Sequence, residues 1–164
     1  MRQGSEERES PANVLPLVVF VIDGQRYGLP LPCVERVLPM IAVSPLPKSP
    51  AIVLGVINLH RRILPVVDLR RRFNLPSREY GVTDHLLVAR TSRRILALAV
   101  DAVLNVQEIA AQAVILPDAV LPGIGHVAGI VTLADGLLFI QDLEAFLSLD
   151  EERGLTAALE EVEP

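Results

Sequence analysis

Three histidines, one cysteine and a cluster of arginines hold most of the reactive side-chain chemistry open to this 164-residue chain. His60, His85 and His126 have no short paired spacing and no neighbouring cysteine or clustered carboxylates, so no metal site is expected from them. Cys33, beside Pro32, would be a nucleophile only with a base at hand; as a small apolar filler it needs none. "GIGHVAG", Gly123 to Gly129, has the glycines of a dinucleotide loop but the wrong spacing, and a β pattern follows it, so it reads as a turn. There is no Gly-x-Ser-x-Gly elbow, phosphate loop or placed acid and base pair. No catalytic residue and no cofactor are assigned, and the chain does not read as an enzyme.

The arginines remain. "GVINLHRRILPVVDLRRRF", Gly55 to Phe73, looks like two buried strands yet holds Arg61, Arg62, Arg70, Arg71 and Arg72. They could form a nucleic-acid patch, a catalytic anion site or the rim of a protein docking surface. The formal net charge is −5, and Asp150, Glu151, Glu152, Glu160, Glu161 and Glu163 against Arg153 account for all of it, so the rest of the chain is neutral. Nucleic-acid binding draws its affinity from a net basic domain. Single-strand binding also wants exposed aromatic platforms. The aromatics are only Phe20, Phe73, Phe139, Phe146, Tyr27 and Tyr80, mostly set in apolar patterns. A docking rim is therefore the reading adopted, with a small nucleic-acid-binding β-barrel as the alternative. By itself the Arg70 to Arg72 run reads as a solvated helix face.

These residues need elements to position them. With 51% apolar residues, no Trp and many Val, Leu and Ile, the composition favours β structure. A single cysteine forms no internal disulfide and fits a reducing compartment. "MRQGSEERES" lacks the apolar segment of a secretion signal and "VLPLVVFVI" is too short to span a bilayer, so the expected location is cytoplasmic. Residues 1–13 read as a flexible tail, 14–149 as the folded body and 150–164 as an acidic extension. Within the body, Asp23-Gly24 marks a first hairpin, Val34 to Leu38 a short turn or helix, and the proline-rich Pro39 to Pro50 an extended edge or loop. Gly55 to Leu59 and Ile63 to Val67 form a second hairpin around His60-Arg61, after which Asp68 caps a short helix. Near the end a helix is expected from about Asp142 to Leu147 on the second barrel, then a weakly held extension broken at Gly154.

A shift of 74 residues lays "GVINLHRRILPVVDL" on "GIVTLADGLLFIQDL", Gly129 to Leu143, without a gap. Upstream, "VERVL" at Val34 is echoed by "VDAVL" at Val100. Two copies of so long a unit predict paired subdomains, two similar small β-barrels each stabilised by packing on the other. Where the second copy has Asp135-Gly136 in its turn, the first has His60-Arg61-Arg62, with no glycine to take a positive φ. Local rule-breaking at an exposed turn marks a candidate functional position.

The spacing "YGLPLPCVERVLP…SPAIVLGVINLHRRILPVVDLRRRF…LLVART…LALAVDAV…GIVTLADGLLFIQDLEAFL" resembles the CheW family, the coupling proteins of bacterial chemosensory arrays, from about Leu17 to Leu147. Its most specific part is the motif carried by Gly55, Asn58, Leu59, Pro65, Asp68 and Leu69. The resemblance implies a mostly β fold of two pseudo-repeated five-stranded SH3-like barrels packed together, with short helices and a C-terminal helix. It implies a non-catalytic adaptor between the cytoplasmic tip of methyl-accepting chemoreceptors and the regulatory domain of a CheA-type histidine kinase. Such an adaptor is cytoplasmic and recruited to membrane-associated receptor arrays, without membrane insertion or nucleic acid. The receptor-facing surface it implies takes in Val34, Arg36, His60, Arg61 and His85. Three positions depart from the family pattern, which commonly has an acid at Arg36, an arginine at His60 and a glycine at Arg61.

Overall fold

Two apolar runs joined by Asp23-Gly24 pair as an antiparallel hairpin, β1 (Val14–Ile22) with β2 (Gln25–Pro30), and the turn residues take φ 55° and 80°. This opens a computed structural model that describes residues 13–116 and 126–162. The remaining strands are β3 (Val34–Pro39), β4 (Val53–Leu59), β5 (Arg62–Asp68), β6 (His85–Arg90), β7 (Ile95–Val100), β8 (Ala102–Ala110), β9 (Val127–Leu133) and β10 (Gly136–Gln141), with helices α1 (Leu69–Arg72) and α2 (Leu149–Val162). The expected tail, apart from Asn13, and the first three residues of "GIGHVAG" lie outside the described residues, and Val127 to Gly129 belong to β9.

The strands form two five-stranded sheets, ordered β8-β1-β2-β10-β9 and β3-β6-β7-β5-β4. In chain order the repeat is β1 to β5 followed by β6 to β10, so each sheet takes two strands from one copy and three from the other. The mostly β, two-barrel expectation holds, and the copies are interleaved between the barrels rather than assigned one to each. Equivalent places match in detail. Ser44 bridges Val56 and Ile115 bridges Ile130; Val56 and Ile130 are related by the same 74-residue shift. Asp68 and Asp142 each accept a hydrogen bond from the backbone two residues on, at 3.1 Å.

The exchange explains why the strands are apolar on both faces. On β1, Leu17 and Val19 point into the core of their own sheet, while Val18, Phe20 and Ile22 enter a larger core shared between the sheets. On β6, Leu86 and Val88 fill the other sheet's core, and Leu87 and Ala89 the shared one. Period-2 alternation thus sorts side chains between two apolar destinations instead of between core and water.

Two expectations need correction. Val34 to Leu38 is not a turn or helix: it is β3, an outer strand antiparallel to β6, preceded by a single 3-10 turn at Leu31–Cys33. At the C-terminal end, Leu143–Ala145 is also one 3-10 turn, and the substantial helix is α2 beyond it. Leu155, Ala158 and Leu159 lie on one face of α2 and are buried in the shared core. Gly154 lies inside the helix, against Pro50. The helix contacts the β3-to-β7 sheet: Arg94 Nε donates to Glu152 at 3.0 Å, and Arg72 Nη2 to Glu151 at 2.5 Å.

Candidate functional site

The β4–β5 hairpin closes with His60 and Arg61 as its two turn residues, since Leu59 pairs with Arg62. A two-residue loop compatible with strand twist needs positive φ at both positions, and His60 and Arg61 take 52° and 69° without a glycine. The turn is supported locally, because Asn58 Oδ1 accepts the Arg61 N–H at 3.1 Å. Gly55, at the other end of β4, is required for a different reason: a Cβ there would sit 2.1 Å from the Ser44 carbonyl oxygen. Leu59, Pro65 and Leu69 are buried, and Asp68 caps α1 while accepting the Tyr80 hydroxyl at 2.7 Å.

Strand β3 brings Arg36 to this turn. Its Nη1 lies 2.8 Å from His60 Nε2. A guanidinium only donates, so the ring nitrogen accepts and the neutral imidazole carries its proton on Nδ1. Beside them Glu35 accepts from Arg62 Nη2 at 3.4 Å and from Arg90 Nη2. Arg36, His60 and Arg61 are all exposed, and the patch holds more positive than negative charge. Val34, on the same strand, packs against the shared core. Val37, 42% exposed, pairs with Leu87, and on β8 Val103 packs against the shared core while Leu104 and Val106 are exposed. The outer strands of the two sheets therefore present apolar residues beside the junction. His85 is apart from this group, at the far end of β6 from the residues that face Val34 and Arg36.

The other arginines have structural partners. Arg70 is 4% exposed and donates from Nη2 to Asp101 at 2.8 Å; Arg72 is paired with Glu151. Only Arg71 of that run is exposed, donating to the Ala51 carbonyl at 2.7 Å. The expected solvated helix face is thus two structural arginines and one surface one. Arg78 grips Asp84 through both terminal nitrogens, at 2.9 and 2.8 Å, and also donates to Asp101 at 2.8 Å. That grip, by hydrogen bond first, holds the Asp84 carboxyl below the usual range despite its burial. Burial, with the bond to Asp68, pushes the Tyr80 hydroxyl well up. Sequence alone could not find this network, because its members lie 31 and 23 residues from Asp101.

The alternative nucleic-acid reading loses its stacking platforms. Tyr27 stacks on Phe20 and Phe73, and Phe73 on His126, all inside the packing of the two sheets. His126 Nδ1 also meets Gln141 Oε1 at 3.1 Å, which makes it structural. The Cys33 thiol is pushed up by burial and donates to the Pro30 carbonyl at 3.0 Å, the opposite of nucleophile activation. No group of His, Cys, Asp and Glu able to hold a metal occurs among the described residues.

A family model, the CheW-like domain, matches residues 16–151. The chemotaxis protein CheW of Rhizobium meliloti (strain 1021) is 33% identical over 90 residues, 55% of this chain and 58% of that protein. The chemotaxis protein CheW of Treponema pallidum (strain Nichols) is 27% identical over 141 residues, 82% of this chain and 83% of its own. The crystal structure of the scaffolding protein TtCheW from Thermoanaerobacter tengcongensis superposes with a TM-score of 0.76 at 27% identity, covering 84% of this chain and 94% of that one. With its two interleaved barrels and a family match over nearly all of the folded body, the chain belongs to the CheW-like domain family.

Proposed function

We propose that this protein is a non-catalytic adaptor that couples chemoreceptors to a CheA-type histidine kinase in a chemosensory array. The observation that carries the reading is a two-barrel body whose outer strands, β3 and β8, leave apolar side chains exposed, with a charged turn next to β3. Val34, Val37, Leu104 and Val106 flank the shared core, and Arg36, His60 and Arg61 provide a charged rim. Buried apolar anchors with a polar rim suit protein recognition: the anchors supply affinity and the rim sets partner choice and encounter rate. No helix among the described residues is long and apolar enough to cross a membrane, so the proposed recruitment to receptor arrays in the cytoplasm works through protein contacts. The proposed partners are the kinase regulatory domain and the receptor's cytoplasmic tip.

Receptor-containing membranes, a CheA-type kinase and the purified chain test this together. The chain is expected to be required for kinase capture and control; capture of single-stranded nucleic acid in its place would overturn the reading. A second test concerns the rim. A matched receptor tip offers a carboxylate to Arg36, so Arg36→Glu weakens receptor binding, with a loss that shrinks as salt screens the contact, and leaves kinase binding intact. Equal loss of both partners would put the receptor surface elsewhere.

A further inference from the structure

We propose that Arg36 and His60 form a carboxylate site that takes up a proton as it fills, so that an acidic partner residue docks here in proportion to the protons available. The inference rests on the docking surface proposed above and adds its chemistry and its regulation.

In the free protein Arg36 Nη1 points at His60 Nε2 from 2.8 Å, so that nitrogen carries no proton. The other charged groups of this patch are mostly arginines. Arg61 follows in the turn, Arg62 lies on β5 and Arg90 on β6, while Glu35 on β3 is shared by Arg62 and Arg90. Arg94, just before β7, is taken by Glu152 of α2. Neither carboxylate is bonded to the ring: Glu35 and Glu152 stay with their arginines, and the imidazole's hydrogen-bond partner is Arg36.

A carboxylate arriving from a partner brings a negative charge that both groups can share. One of its oxygens accepts from Arg36; the other accepts from His60 once Nε2 is protonated. The proton comes from solvent and no covalent bond changes. Bound and free states therefore differ by one proton on one named nitrogen, and affinity must rise as pH falls, by up to about tenfold per pH unit for a single linked proton.

Calorimetry on the full chain at low salt tests this, with a hexaglutamate peptide as the probe. Titrations at pH 7 in phosphate and in Tris, buffers of unlike ionisation enthalpy, report protons exchanged. The wild-type protein is expected to take up a substantial fraction of one proton per site and to bind more tightly at pH 6 than at pH 8. His60→Asn, a residue that tolerates the left-handed turn, is expected to fold, bind more weakly and take up none. Arg36→Gln loses binding, and His85→Asn, at the far end of β6, retains proton uptake. Equal heats in the two buffers for the wild type, uptake that persists in His60→Asn, or no binding of the peptide at low salt would each overturn the proposal. Kinase capture judges the adaptor reading separately, since it does not require this pocket to titrate.

Discussion

At His60 and Arg61 the backbone enters the left-handed region twice in succession, at roughly 1 kcal/mol for each residue with a Cβ, whereas the Asp23-Gly24 turn gives one of its two positions to glycine. Arg61→Gly should therefore raise stability by about 1 kcal/mol, read as a higher midpoint in chemical unfolding; an unchanged or lower midpoint would mean that the Arg61 side chain contributes more than its backbone costs. Gly55→Ala works in the opposite direction. Its Cβ would strike the Ser44 carbonyl and force apart the two backbone bonds between Ser44 and Val56, at 2.9 and 2.8 Å, a loss of at least about 2 kcal/mol. Both positions were visible in the sequence as a turn without glycine and as a glycine in a strand. The fates of Arg70, Arg71 and Arg72 were not. Three identical residues in a row carry no sign of which one faces Asp101, since that carboxylate is 31 residues away and is brought near only by the chain's passage between barrels.

Among the elements, α2 contrasts most with its local sequence. Leu155, Ala158 and Leu159 show helical spacing on inspection, but Gly154 reads as a break because glycine costs a helix about 1 kcal/mol relative to alanine. Tertiary burial outweighs that cost. Three side chains enter the shared core, and the first turn is closed by a reciprocal cap in which Ser148 Oγ accepts from Glu151 N at 3.1 Å and Glu151 Oε1 accepts from Ser148 N at 2.8 Å. Truncation after Leu149 should consequently destabilise the whole protein, and Leu155→Ala alone should cost about 2–5 kcal/mol, measured by thermal and denaturant unfolding. A truncated chain that melts like the full one would restore the view of a loosely attached tail. The β3 strand was hidden for a related reason: as an outer strand it sets Glu35 and Arg36 side by side between Val34 and Val37, with a register shift there, so its pattern fits a short amphipathic turn equally well until β6 is seen beside it. The two hairpins, whose turns and β-rich flanks are purely local signals, were legible from the start.

For the whole molecule, the repeat could be read from the 74-residue shift but the exchange of strands could not, because the same apolar pattern results whether β1 and β2 join their own copy or the other. The exchange has an energetic consequence. The chain crosses between barrels after β2 and β7, and the crossing at Asp101 is fixed by Arg70, Arg78 and the Asp23 N–H, the last at 2.8 Å. The two barrels share one core, in which Phe20 and Ile22 of one sheet meet Leu87 and Leu98 of the other and Leu155 of α2, so equilibrium unfolding should be a single transition by near- and far-ultraviolet circular dichroism; two resolved steps would contradict it. The acid limb of that transition follows from the carboxylates. Asp84 is held low by Arg78, and Glu151 is held low because bonds from Ser148 and Arg72 together outweigh the opposing effect of burial. A carboxyl whose folded value is depressed binds fewer protons than in the unfolded chain, so its contribution is complete above the ordinary carboxylate range near ~4 and is lost as pH falls through the depressed values. Stability should accordingly be flat from neutral pH down to about 5 and decline below it. Asp84→Asn should lower the neutral plateau and flatten the decline, because the partner that distinguishes folded from unfolded protonation is gone. An unchanged acid slope in that variant would show that the Arg78–Asp84 grip does not connect the loop to the stability of the two barrels.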